Sequence, residues 1–169
     1  MKWSKLKSLT EERFAESVRR RVELWSTAYR KPDSTTGRGW ITIDGEELVN
    51  FATPSSMLRF GAYFHESSDT ECLKHRAISD AERSEGNIIE EGEFSRFDLH
   101  NACWSALNLS IEDARNSDNP LIRLLSVLDA RTGRRKLAEL KSAQEHPLVA
   151  ALLDFRKQAE QISSSENPK

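Results

Sequence analysis

The apolar positions of the chain change their spacing along its length, and each change predicts a different element. Trp3, Leu6, Leu9 and Phe14 fall in one broad arc of a helical wheel, while Lys5, Lys7, Glu11 and Glu12 lie largely off it. This predicts an N-terminal amphipathic helix, with Ser4 as its cap. From residue 18 to residue 29 the period drops to two. Val18, Arg20, Val22, Leu24, Ser26 and Ala28 make one face, and Arg19, Arg21, Glu23, Trp25, Thr27 and Tyr29 make the other, the pattern of a strand. A stretch of turn formers, 32–37, leads into a second strand over 39–43. Asp44-Gly45 tolerates the positive φ of a type I′ turn and predicts a hairpin to a third strand, 46–52.

Helical spacing then returns. Thr53-Pro54 can open a helix, with threonine as cap and proline in the first turn, and Met57, Phe60 and Phe64 would share a face. The same stretch alternates at Leu58, Phe60, Ala62 and Phe64, so for residues 54–65 a fourth strand is the alternative. Residues 69–84 read as a polar helix ending near Gly86. Residues 85–93 hold two glycines and four acids around Ile88-Ile89 and read as a mobile connection. Ser95 or Asp98 caps the next helix, whose buried side would carry Leu99, Cys103, Ala106 and Leu107. Ser110-Ile111-Glu112-Asp113 continues it or opens a new turn. Asn119-Pro120 starts a helix bearing Leu121, Leu124, Leu125 and Leu128, Gly133 interrupts the pattern, and His146-Pro147 opens a last helix with the stripe Leu148, Leu152, Phe155 and Ala159. The expected class is α+β: an N-terminal helix and three-stranded antiparallel meander followed by a helical C-terminal half packed on it. One domain is expected over 1–162, with a disordered polar tail at 163–169. The absence of strand–helix–strand alternation argues against a doubly wound nucleotide-binding fold.

Composition narrows the class further. A chain of 169 residues with 37% hydrophobic residues can bury a core of its own. Its mean hydropathy is −0.63 and no apolar run approaches the roughly 20 residues of a membrane span, so no membrane association is expected. Met1-Lys2-Trp3-Ser4-Lys5 has no apolar stretch behind it, which does not fit a secretory signal. Two cysteines make no disulfide framework, and a cytoplasmic location is expected. The net charge of −2 is unevenly spread: +5 over 1–31, −9 over 32–115 and +2 over 116–169. An acidic middle between mildly basic ends does not suit nucleic acid, which calls for a dominant basic field.

The chemistry-bearing residues form no strong motif. There is no G-x-G-x-x-G, P-loop or nucleophile elbow. His65, Cys72 and His75, with His100 and Cys103 one helical turn apart, could in principle gather around zinc. Cys103 sits among apolar neighbours, however, and reads as a small core residue, so neither metal nor cofactor is expected. Glu46, Glu47, Glu112 and Asp113 read as solvated charge, and no catalytic pair is assigned. Arg131, Arg134, Arg135 and Lys136 read as cations capping the preceding helix, with phosphate binding as the alternative. Trp25 and Tyr29 share a strand face with Arg19, Arg21 and Glu23, which suits either a partner surface or a face covered by a helix. The candidate binding residues are Glu90, Glu91 and Glu93, as an acidic surface, together with Trp25 and Tyr29.

Several segments carry a resemblance. Met1-Lys2-Trp3-Ser4-Lys5-Leu6-Lys7, the run Gly37-Arg38-Gly39-Trp40-Ile41-Thr42-Ile43-Asp44-Gly45, Ser117-Asp118-Asn119-Pro120 and Leu128-Asp129-Ala130-Arg131-Thr132-Gly133-Arg134-Arg135 are similar to a group of small uncharacterised bacterial proteins. The resemblance implies a bacterial cytosolic protein and carries over no catalytic residue. The function expected is that of a non-enzymatic interaction protein whose partner is a protein with a basic surface and not nucleic acid. Toxin-neutralising immunity proteins are one class of this kind. The alternative is an enzyme or ligand-binding domain with a pocket built from His65, His75 or His100 and the arginines of 131–136.

Overall fold

The computed structural model describes residues 1–29, 37–60, 78 and 83–162. Helix α1 (Trp3–Glu11) turns Leu6 and Thr10 inward. Lys2, not Ser4, stands at its N-cap and makes no side-chain bond there. Phe14 lies beyond the helix but is buried, in an isolated antiparallel bridge with Asp129. Strand β1 (Val22–Ala28) starts four residues later than the alternation predicts. Residues 18–21 form a turn instead, in which the Val22 amide donates to the Val18 carbonyl and Arg20 takes a φ of 67°. Val18 is buried from within that turn, so the turn mimics the burial pattern of a strand.

Strands β2 (Gly37–Ile43) and β3 (Glu46–Ala52) complete an antiparallel sheet in the order β1-β2-β3. The Asp44-Gly45 turn is present, with φ of 51° and 87°, the positive pair that a type I′ turn requires. Val22, Leu24, Ile41, Val49 and Phe51 point to the core side of the sheet. Helix α2 (Thr53–Phe60) begins at the predicted threonine and rules out the strand alternative for 53–60. Phe64 and residues 61–65 lie outside the described residues. The same holds for the polar helix expected over 69–84 except at Ile78, Arg83 and Ser84, none of which is helical.

The C-terminal half is helical, as its caps foretell. Helix α3 (Arg96–Asn108) is opened by a capping box in which Ser95 and Asp98 bond each other's backbone. Its Leu99 lies against β2 so closely that a Cβ on Gly39 would stand 3.0 Å from Leu99 Cδ2. Ser110 caps a separate short helix, α4 (Ile111–Arg115). Helix α5 (Pro120–Leu128) is buried at every position except Arg123 and is the centre of the helical layer, packed by α3, by α4 and by α7 (Pro147–Ala159). A six-residue helix, α6 (Arg134–Glu139), and a 3-10 turn, Ser142–Gln144, connect α5 to α7.

One cation joins the ends of this layer. Arg156 of α7 is buried, and its guanidinium donates to the carbonyls of Val127, Asp129 (2.7 Å) and Thr132 (2.7 Å) and to Glu160 (2.9 Å). The turn it fills is bonded in its other direction to the N-terminal segment: Ala15 N donates to Leu128 O and Ala130 N to Arg13 O, both at 2.8 Å. Beside it, Lys157 Nζ donates to the Leu140 carbonyl at the end of α6.

The hairpin offers a clean test of these backbone arguments. Nothing lies within 4 Å of a Cβ built on Gly45, so substitution there is penalised by φ alone. Gly45→Val is expected to cost about 1–2 kcal/mol in denaturant unfolding, and Gly45→Asn, which tolerates positive φ, only a fraction of that. Equal costs for the two variants would mean that the turn is not what sets the register.

Candidate functional site

The outer face of the sheet, away from the helical layer, carries Trp25 and Thr27 of β1 and Arg38, Trp40 and Thr42 of β2. The register places Trp25 directly opposite Trp40. Their rings stack with centroids 5.9 Å apart and planes 11° from parallel. Each end of this stack is closed by a cation of the chain itself. Lys7 Nζ lies 3.8 Å over Trp25, and the Arg38 guanidinium 4.3 Å over Trp40. Both cations are held from behind, Lys7 by Glu11 at 3.2 Å and Arg38 by Glu47 at 3.0 Å. Trp25 Nε1 donates to Thr42 Oγ1 at 3.1 Å, which fixes the ring's rotation. With their faces filled, the two indoles offer a partner their edges.

Glu11 has a second task. Its carboxylate also accepts from the Leu24 amide at 2.7 Å, on the side of β1 away from β2, so α1 blocks part of the sheet edge. Burial raises its pKa above the usual carboxylate value, against the Leu24 amide and Lys7, which pull it down. Trp25 remains 36% exposed, and Tyr29, just past the end of β1, 50%. By register Glu23 and Glu47 share this side of the sheet, both opposite Thr42, whereas Asp44 is bonded to Arg21 at the turn (2.7 Å) and Glu46 lies opposite Ile43. Trp25 lies on the strand as the alternation predicted, whereas Tyr29 falls just beyond its end and not on a strand face. Trp40 was missed, because the Asp44-Gly45 turn sets only the β2–β3 register and nothing local in the sequence aligns β1 with β2.

The acidic trio does not form the expected surface. Glu93 is only 1% exposed and Glu90 is also buried, which leaves Glu91 alone at the surface. Glu93 accepts from both Arg83 terminal nitrogens (2.9 and 3.0 Å), from the Glu90 amide (2.8 Å) and from His146 Nε2 (2.7 Å). Because His146 Nδ1 accepts from the Leu148 amide as the cap of α7, the ring's proton sits on Nε2 and points at Glu93. Burial alone would raise the Glu93 pKa, but its bonds to His146, Arg83 and the Glu90 amide outweigh burial and hold it at about 2. Glu90 in turn accepts from Ser84 N at 2.6 Å and from Asn87. Residues 85–93, expected to be mobile, are instead tied to Arg83 and Ser84 through two carboxylates.

The remaining candidates are also spent internally. His100 Nε2 lies 2.8 Å from Ser26 Oγ, Trp3 stacks on the ring at 4.4 Å, and burial, then the charge of Arg96, lowers its pKa to about 4. Cys103 is fully buried, and burial pushes its thiol up to about 12. His65, Cys72 and His75 lie outside the described residues. Among the described residues no three His, Cys, Asp or Glu side chains gather in a metal-binding group. An open cleft of about 250 Å³ is lined by Glu12, Arg13, Asp129, Ala130 and Arg131, but Arg131 clamps Asp129 at 2.7 Å and Arg13 donates to the Ala106 carbonyl. The cations of 131–136 do not cap the helix before them. Helix α5 ends at Leu128, and Arg134, Arg135 and Lys136 form the first turn of α6.

The chain belongs to the SF0329 protein family, whose model matches residues 2–157. No curated protein and no solved structure matches it.

The Glu93 network predicts a pH signature. Its carboxylate has a lower pKa in the fold than the ordinary 4.5, so its contribution is present above 4.5 and lost as pH falls towards 2. His100, held neutral in the fold, adds a loss that begins as pH falls below 6.5 towards 4. Glu93→Gln is expected to cost about 2–3 kcal/mol at neutral pH, because the partly buried Arg83 loses its counter-charge and its charged hydrogen bonds. It should also flatten the Tm against pH profile below pH 4.5. A profile as steep as that of the unsubstituted chain would contradict the assignment.

Proposed function

We propose that this member of the SF0329 family is a non-catalytic binding protein that receives a basic protein surface on the outer face of its sheet. The observation that carries the proposal is the Trp25–Trp40 stack, fixed by Lys7, Arg38 and Thr42, with the carboxylates of Glu11, Glu23 and Glu47 beside it. Rigid aromatic side chains bury large area at little entropic cost on binding, and here the ordering cost is met during folding. Carboxylates beside the stack steer a basic partner and disfavour phosphate backbones. The non-catalytic part of the reading is supported, among the described residues, by groups that could do acid–base or nucleophilic work but have other partners. Glu93 and His146 are engaged with each other, His100 with Ser26 and Trp3, and Cys103 is sealed in the core. Neutralisation of a basic toxin in the bacterial cytosol is one specific form of this function, and it rests on analogy of size and charge alone.

A photo-crosslinking residue at Tyr29 or at Asn50, both exposed, tests the face in cells that express the chain. The expected result is one discrete protein adduct from both positions and none from the exposed Glu112 or Asp118. The adduct should be lost on Trp25→Ala, and it should fade by about tenfold between low and high salt, because exposed charges are screened beyond about 8–10 Å. Adducts only from Glu112 or Asp118, or a nucleic-acid adduct at Tyr29, would overturn the reading.

A further inference from the structure

The opposite sign of charge collects elsewhere, on α6 and the residues that flank it. Residues 131–141 hold five basic side chains, Arg131, Arg134, Arg135, Lys136 and Lys141, and a single acid, Glu139. The fold adds a sixth cation from another element, since the charge of Arg115 in α4 is felt at Glu139. That one carboxylate serves Lys136 at 3.1 Å and Arg135 at 3.6 Å, and the three cations together hold its pKa below the usual carboxylate value. The Arg135 side chain is 97% exposed, and Arg134 is exposed as well.

This arrangement opposes local stability. Gly133 supplies no side-chain cap to α6, and the first turn holds three cations and no acid, although the exposed N–H groups of a helix start already favour negative charge. By contrast α3, α4, α5 and α7 each begin with a side-chain cap, from Ser95, Ser110, Asn119 and His146. Glu139 and Asp129 offset part of this charge, but the exposed cations still outnumber them, and an external anion would offset the rest.

The geometry points to a second docking surface, formed by Arg115, Arg131, Arg134, Arg135 and Lys136, for a carboxylate-rich segment of a protein. The surface is the cluster of guanidinium and ammonium groups, not the helix end. It is too compact for a nucleic-acid track: six helical residues span about 9 Å, and specific duplex binding needs an extended positive stripe. The chain as a whole carries −2, and Asp129 lies beside Arg131, which further disfavours a phosphate backbone. This inference stands apart from the sheet face, because it concerns different residues and a partner of opposite charge.

The test uses the full chain and a fluorescent ten-residue glutamate peptide, with a duplex DNA of about 20 base pairs and inorganic phosphate as parallel arms. The expected result is saturable peptide binding at about 50 mM salt, weakened about tenfold or more at about 300 mM. Arg134→Glu/Arg135→Glu should lose the peptide with its Tm unchanged or raised, because the reversed charges suit a helix start. Lys2→Glu/Lys5→Glu should bind as before. No saturable binding at low salt would overturn the inference. So would equal affinity in the Arg134/Arg135 variant, an equal loss in the Lys2/Lys5 variant, or tighter binding of the duplex or of phosphate than of the peptide.

Discussion

The fold depends on a buried guanidinium. Arg156 sits where α5 ends, where the chain turns through residues 129–132, and where the N-terminal segment passes. Three carbonyls converge there, of which that of Asp129 also accepts from the Thr132 amide at 3.0 Å, and buried carbonyls left short of donors are costly. One planar cation with five donors answers all three, and Glu160 balances its charge. Glu160 is itself held by Ser17 at 3.0 Å, so the last helix, the α5 turn and the segment after α1 share one network. A lysine could not reproduce that fork of bonds, and an apolar residue would leave the carbonyls dry and short of donors.

That closure determines what is left open. The helices build inward from the Arg156 turn through α5 and α3 to one side of the sheet, where Leu99 meets Gly39. Most charges of the helical layer are then consumed, Glu93 by Arg83 and His146, Arg123 by Glu145, and Asp129 by Arg131. The opposite side of the sheet keeps its aromatic stack at the surface, and α6 keeps its surplus of cations.

How much of this was legible in the sequence follows from the reach of each interaction. The Asp44-Gly45 turn, the Ser95/Asp98 capping box and the starts at Asn119-Pro120 and His146-Pro147 were legible because their chemistry closes within four residues. Residues 18–21 misled because a turn can bury Val18 as a strand would. Glu90 and Glu93 looked solvated because carboxylates usually are. What binds Glu93 is His146, 53 residues away, together with Arg83, which the sequence placed at the end of a polar helix and which is not helical. Arg156 carried no signal of its role, since its partners are backbone carbonyls 24–29 residues distant. Of the sheet face, Trp25 and Tyr29 could be read from one strand, but the stack with Trp40 needed the register between two.

The most direct test of this account is amide hydrogen exchange in the folded chain. If the Arg156 network binds the N-terminal segment and the helical layer into one cooperative unit, the amides of Ala15, Ala130 and Thr132 exchange only through global unfolding. Their exchange free energies then match those of Trp25 and Trp40, the paired amides in the middle of the sheet. Exchange at Ala15 and Ala130 faster by about two orders of magnitude or more, equivalent to a local opening about 3 kcal/mol below global unfolding, would contradict it.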